Sequence, residues 1–277
     1  IELPPNAWTS GNNVRFENGV VKSGYGYDGV TLTSAADKIM RAAYLRTASG
    51  EFWVYAADTD DDGIADSIFQ YDGSSETELT GWVTTNAAAD DPINICQLHG
   101  YIVITNGVDP PVYWDGQAAT STVSYLPWDA TYDWDDYDGA TSPYYAKSIR
   151  PYKNQLVAMD ITDDGFRSPR LIHWSSLATP GNLPPSWDTS TATEEAGRTE
   201  LAETSGEIVD GLELRDQFIV YKTDAIHSMQ FIGGTFVLWL FALWEKRVAD
   251  RGGEPLVKPG TLKNAQLAGA LVMLFFT

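Results

Sequence analysis

The sequence predicts a mainly β fold, a β-propeller (whole or incomplete) with long loop insertions and an atypical C-terminal segment. Three observations predict it. Aromatic residues make up 12% of the 277, and Gly, Pro, Thr and Asp are plentiful, a composition that favours strands and tight turns over helices. Short apolar runs are bounded by turn residues rather than by helix caps. The same order of parts also recurs along the chain: a strand, a short polar turn, an apolar strand (FWVYA, YIVIT, QLVAM, QFIVY), a second turn, and a strand with an aromatic near its end. Val54, Val103, Val157 and Val220 mark corresponding positions, spaced roughly 50 to 60 residues apart, the period of a propeller blade. A β-sandwich has strands of similar length but gives no reason for this order to repeat.

Residues 1–41 form a turn-rich strand segment. Val14 and Phe16 alternate with polar neighbours, and Asn18-Gly19 is a two-residue hairpin signal before Val20-Val21. Gly24, Gly26 and Gly29 spell GxGxxG, but no helix pattern follows, so they read as turn glycines. Residues 42–237 hold the blades. The first unit runs from Ala42 to Gly73 and the second from Ile95 to Gly116. The third runs from Ser148 to Leu177, with a short insertion before RLIHWSSL, and the fourth from Gly206 to Gly234. In the fourth, Gln217 to Tyr221 is apolar on both faces, as expected of a strand buried between others. Arg215-Asp216 and Thr223-Asp224 are its turns, and Ala225 to Ile232 is the returning strand. Insertions at 127–145, which mixes acids with aromatics, and at 178–207, rich in Pro, Thr and Glu, separate the units. Loops of this length tend to be functional or to contact partners.

Residues 238–277 lack the alternating pattern. From Glu245 onward they hold five basic and three acidic residues inside a chain of formal net charge −20. The expectation is a truncated or out-of-frame tail, with a divergent terminal helix as the alternative. The opening IELPPNAW is no signal peptide, and the absent initial Met suggests processing or a fragment.

The acidic balance argues against wrapping nucleic acid or lying on an anionic membrane, since both need Lys and Arg. It suits a surface past which DNA slides without sticking. No apolar run reaches the roughly 18 residues of a membrane helix, so no membrane contact is expected. Cys96 is the single cysteine, and His99, His173 and His227 are too scattered for a Cys/His metal pattern. Cys96 and His99 lie too close along one strand to act as a catalytic pair, and no GxSxG elbow occurs.

Two motifs carry candidate chemistry. Asp58, Asp60, Asp62, Gly63 and Asp66 follow the front of a calcium loop. Position 12 of such a loop would be Phe69 instead of a bidentate Glu, so a solvated hairpin turn is expected first and calcium second. Asp129, Asp133, Asp135, Asp136 and Asp138 offer carboxylates for a glycosidase pair, but nothing fixes the separation such a pair needs. A contact loop using Asp129, Trp134, Asp135, Asp136 and Tyr137 is preferred. A calcium-assisted carbohydrate-binding propeller, stacking sugars on Trp128, Trp134, Tyr137 and Tyr144, is the alternative, and a propeller hydrolase a lesser one.

LPPNAWTSGNNVRFENGVV near the start, IHWSSLATPGNLPPSW, and GEIVDGLELRDQFIVYKTDAIHSMQFIGG together resemble the tail nozzle family of short-tailed bacteriophages. This family is also called tail tubular protein B or the packaged-DNA stabilisation hub. The most specific parts are Leu3-Pro4-Pro5-Asn6-Ala7-Trp8, Asn13-Val14-Arg15-Phe16 and Asp210 through Lys222. The resemblance covers residues 3 to 237. It implies a structural virion protein of the tail, a homo-hexameric ring of propeller subunits below the portal and adaptor. Such a ring contacts tail fibre or spike proteins and retains double-stranded DNA, then passes it without sequence specificity. Members are normally longer. The family has no catalytic residues, so none are expected here, and no cofactor is expected beyond weak calcium binding at the Asp58 turn.

Overall fold

A computed structural model of the chain describes residues 14–17, 20–23, 38–88, 91–137, 143–191, 195–231 and 239–245. The fold is mainly β, and no helix occurs among the described residues. The chain divides into two compact units, Ile1–Ser34 and Ala35–Thr277. In the first, β1 (Val14–Glu17) and β2 (Val20–Ser23) pair antiparallel with Glu17 opposite Val20. The expected turn Asn18-Gly19 between them lies outside the described residues. The GxGxxG glycines lie outside the described residues.

The second unit carries four antiparallel sheets of four strands, each a simple meander. The first sheet holds β3 (Lys38–Thr47), β4 (Gly50–Asp58), β5 (Ser67–Tyr71) and β6 (Glu76–Leu79). The second holds β7 (Asn94–Leu98), β8 (Tyr101–Thr105), β9 (Val112–Trp114) and β10 (Ser124–Tyr125). The third holds β11 (Tyr144–Tyr152), β12 (Gln155–Asp163), β13 (Phe166–Trp174) and β14 (Gly197–Glu200). The fourth holds β15 (Ile208–Leu214), β16 (Gln217–Lys222), β17 (Ala225–Phe231) and β18 (Trp239–Glu245).

Several sequence expectations are corrected by these boundaries. Each unit has four strands, within the three or four a blade of this period holds, and the fourth is the one the recurring strand–turn–strand pattern did not place. The strand β14 lies inside the expected insertion at 178–207, and β18 lies inside the expected out-of-frame tail, paired with β17 from Phe231↔Trp239 to Ala225↔Glu245. The rest of that tail, 246–277, is outside the described residues. The short insertion expected before RLIHWSSL does not exist, because FRSPRLIHW is one strand. Its pairing with β12 slips between Met159↔Ile172 and Ile161↔Ser168, and this bulge takes in Pro169, which has no N–H for a ladder. Asp160, opposite the bulge, has φ 57°. The insertion at 127–145 ends earlier than expected, since Tyr144 already opens β11.

In every sheet the first two strands meet at a two-residue turn: 48–49, 99–100, 153–154 and 215–216. His99, Lys153 and Arg215 begin three of them with φ between 52° and 58°, the left-handed conformation such hairpins demand. Counted from these turns, the third residues of the second strands are Phe52, Val103, Val157 and Ile219. These are the true equivalents. Val54 lies two residues further along the same face, but Val220 lies one further and points to the opposite face, so the valine alignment read from sequence marks the equivalent residue in two sheets, keeps the face in the first and fails in the fourth.

That alternation builds the core. Phe52 and Val54 of the first sheet pack against Ile102 and Ile104 of the second, with Trp114 filling the interface. Val103 of the second packs with Leu156 and Ala158 of the third. Val157 and Met159 of the third pack with Phe218 and Val220 of the fourth. Odd positions face the next sheet and even positions the previous one, which is why these strands are apolar on both faces. At the two ends of the stack this leaves apolar surface exposed: Trp53 is 51% exposed and Leu214 56%.

The first strands stand side by side, β3 against β7, β7 against β11, and β11 against β15. Polar bonds cross each seam. Gln97 Nε2 donates to the Tyr44 carbonyl, the Ile149 amide donates to Asn94 Oδ1 at 3.3 Å, and Arg150 grips Asp210 through Nε at 2.9 Å and Nη2 at 2.6 Å. The Arg150 side chain is mostly covered and its carboxylate partner less so, so the pair ranks above a fully exposed one. Asp210→Ala is expected to destabilise the protein by about 1–2 kcal/mol. Denaturation of the single and double variants with Arg150→Met should show a coupling above about 0.5 kcal/mol; additive effects would mean the seam does not depend on this pair.

Candidate functional site

The acidic turn joins β4 to β5. Asp58 closes β4 and is buried, while Asp60 and Asp62 are exposed. One carboxylate oxygen from each lies within 4.8 Å of the others, so three of the four residues expected to form a calcium set converge. Asp66 does not join them; its Oδ2 accepts from Thr59 Oγ1 at 2.7 Å. Phe69, at position 12, is stacked against Tyr55. Asp58 is already occupied by the turn itself, since Oδ1 accepts the amides of Asp60 and Asp61 and Oδ2 that of Gly63 at 2.9 Å. Burial alone would raise its pKa, but the bonds from the Gly63, Asp60, Asp61 and Asp62 amides outweigh burial and hold it below the usual carboxylate range. Asp60 is shifted up by burial and by the neighbouring Asp62 charge. Three carboxylates are about half of the six to eight oxygens calcium takes, and the hydrogen bonds supply a sufficient structural reason for the spacing.

The second site grows from the two insertions, which meet. Trp134 donates its amide to the Leu126 carbonyl, Tyr144 donates to that of Trp134, and Trp187, from the later insertion, donates to that of Trp128. Their rings gather on the third sheet. Trp134 lies 4.8 Å from Trp187 and 5.1 Å from Tyr144 between centroids, and Trp128 lies 4.9 Å from both Tyr137 and Tyr144. His173, on β13, joins them at 5.4 Å from Trp187. Edge-to-face contacts dominate, the arrangement aromatic quadrupoles favour.

Trp134 is fully buried, which corrects its expected place on a contact surface and also removes it as a sugar platform. The acids around it mostly hold their own turns. Asp129 Oδ1 accepts the amides of Thr131 and Tyr132, Asp133 Oδ1 that of Asp135, and Asp136 Oδ1 that of Asp133. Asp135 is raised by burial and by the Asp133 and Asp136 charges. Asp138 lies outside the described residues.

Beside this cluster opens a pocket of about 310 Å³. Trp128, Tyr144 and His173, the most buried of its residues, form the floor. Tyr132, Tyr137, Asp129, Asp188, Thr189 and Arg198 form the wall and mouth. Tyr137 donates its hydroxyl to Asp163 Oδ1, and Arg198 Nη1 lies 3.8 Å from Asp163 Oδ2. The His173 ring is satisfied on both sides, with Nδ1 3.0 Å from the Tyr144 hydroxyl and Nε2 2.8 Å from the Trp187 carbonyl. The carbonyl requires a proton on Nε2, and in the neutral imidazole Nδ1 accepts from the Tyr144 hydroxyl. Burial pushes its pKa down to about 4, and burial together with the Asp163 charge pushes the Tyr144 phenol up. The floor is therefore uncharged near neutral pH, and charge is confined to the mouth. The sequence reading named Trp128, Tyr137 and Tyr144 but missed His173, Asp188 and Arg198. No spacing rule joins residue 128 to 173, 188 and 198; only the shared acid and aromatic content of the first insertion hinted at a site.

A larger hollow of about 380 Å³ lies at the hairpin tips, lined by Thr47, His99 and Gln117 among others. Its polar atoms are largely engaged: Thr47 Oγ1 donates to the Gly116 carbonyl, and the His99 nitrogens meet the Asn182 carbonyl and Asn154 Oδ1. Cys96 is buried in the core, and burial pushes its thiol up to about 12. At neutral pH it is a small apolar side chain, not a nucleophile. No protein-family model matches the chain, and a search of curated proteins finds no match either.

Proposed function

We propose that the chain is a β-propeller subunit of a short-tailed bacteriophage tail nozzle, a structural protein of the virion tail without catalytic function. The observation that supports this most is the facing rule of the four meanders. Each sheet turns its odd positions to the next sheet and its even positions to the previous one, and the first strands stand side by side. Sheets stacked in this manner around their first strands suit the blades of a propeller, which supports this reading. The phage assignment itself rests on the resemblance of residues 3 to 237. In this reading the subunits form a homo-hexamer below the adaptor, contact tail fibre or spike proteins, and enclose the path of the packaged DNA.

The charge suits that task. With 38 acidic against 18 basic residues, the chain carries a negative field that repels phosphates within a Debye length of ~8 Å at physiological salt. A duplex then passes without adsorbing. The test is assembly with the adaptor ring. Negative-stain images of the mixture should show a sixfold ring, and gel retardation should show no duplex binding at low salt. A protein that stays monomeric with the adaptor, or that retards duplex DNA in a salt-sensitive manner, would overturn the proposal.

A further inference from the structure

We propose that the pocket between the two insertions binds a neutral pyranose, a single sugar ring of a glycan. Its size, about 310 Å³, sits at the lower end of small-molecule sites, which suits one ring better than an extended chain. Tyr132 and Tyr137, with the small uncovered part of Trp128, contribute aromatic surface, the complement of the C–H face of a pyranose; Tyr144 is fully buried and backs the floor. The charges at the mouth select against ions of either sign. Asp129 and Asp188 disfavour an anion, and the Arg198 guanidinium disfavours the quaternary ammonium that an aromatic box would otherwise attract. A ligand with an apolar face and a rim of hydroxyls meets both requirements, donating to carboxylates and accepting from the guanidinium.

The site is also built in advance. The Trp128 and Asp129 amides donate to the Tyr132 carbonyl at 2.9 and 3.1 Å, and the Tyr132 amide returns to Asp129 Oδ1 at 2.9 Å. Tyr132 is thus held at the pocket edge by a closed turn, and Trp128 is tied from behind by the Trp187 amide. Little ordering cost remains for a ligand. No residue of the Asp58 turn lines this pocket, so binding needs no calcium there. The inference is independent of the nozzle assignment.

Saturation-transfer NMR with the methyl glycosides of glucose, galactose, mannose and N-acetylglucosamine, each at ~10 mM, tests it. At least one should receive saturation on its ring protons, with a Kd on the order of 1 mM, about −4 kcal/mol. Tyr132→Ala and Arg198→Ala change partly exposed side chains, so the fold should persist by circular dichroism. Each should weaken binding about tenfold. The proposal is overturned if no glycoside receives saturation, if both variants bind as tightly as the parent, or if choline or a sialic acid glycoside displaces the neutral sugar at lower concentration. Sixfold assembly is a separate readout, and its failure leaves the sugar result standing.

Discussion

Trp134→Ala is expected to lower stability by about 3–5 kcal/mol, the range for removing a fully buried large aromatic. The indole is fully buried and touches Trp128, Tyr144 and Trp187 in three aromatic contacts. Its deletion leaves a cavity between two insertions and a sheet, and the hydrogen-bonded backbone that frames the cavity cannot collapse fully. The neighbouring Asp135→Ala is the control, because that side chain is exposed and should move stability by less than about 0.5 kcal/mol. Urea midpoints followed by circular dichroism decide the matter. If Trp134 instead served a contact surface, the substitution would spare the midpoint and impair assembly. A midpoint like the parent's would therefore remove the aromatic cluster as a structural centre.

The contrast between Trp134 and Asp135 marks where the sequence was legible. The two-residue turns and the apolar second strands were readable, because a hairpin needs particular residues at its tip and a strand stacked between sheets is apolar on both faces. QFIVY and Arg215-Asp216 were placed correctly for these reasons. The outer strands β6, β10, β14 and β18 were not found. The first three pair on one side only and pack less, so ETEL, SY and GRTE carry no apolar alternation; β18 was passed over because WLFALWE fell in the stretch read as an out-of-frame tail. The insertion at 127–145 looked like exposed surface because five aspartates surround its tryptophans. Local hydrogen bonds to turn amides account for several of those aspartates, and long-range packing accounts for the tryptophans; composition alone does not separate the two. The valine alignment failed at Val220 because a one-residue difference in distance from the turn reverses the face. The pocket was half legible: its aromatics lie close together in sequence, while His173, Asp188 and Arg198 arrive through the third sheet's topology.

His173 should make the protein acid-sensitive within a defined window. Its folded pKa is about 4 against 6.5 for a free imidazole, so between these values the unfolded chain binds the additional proton. Stability then rises with pH across the window. The contribution is complete above pH 6.5 and is lost as the pH falls toward 4, for a total of roughly 3 kcal/mol. Burial is the main cause. The Arg198 charge adds to it, while the bond to the Trp187 carbonyl and the Asp188 charge oppose it. Protonation at Nδ1 would also turn the acceptor of the Tyr144 hydroxyl into a donor. His227 is shifted downward as well, first by burial and then by Lys222, and the carboxylates titrate in the same range, so the informative quantity is a difference. His173→Gln keeps a donor and an acceptor without the titration. From pH 7 to pH 4 the parent should lose about 3 kcal/mol more than this variant in urea midpoints converted to free energy. Parallel profiles would show that the imidazole charges without cost in the folded state. Should the variant fold poorly, the histidine ring signals of the parent give the same answer: at pH 5 the His173 ring stays neutral, and a ring already protonated there would sink the prediction.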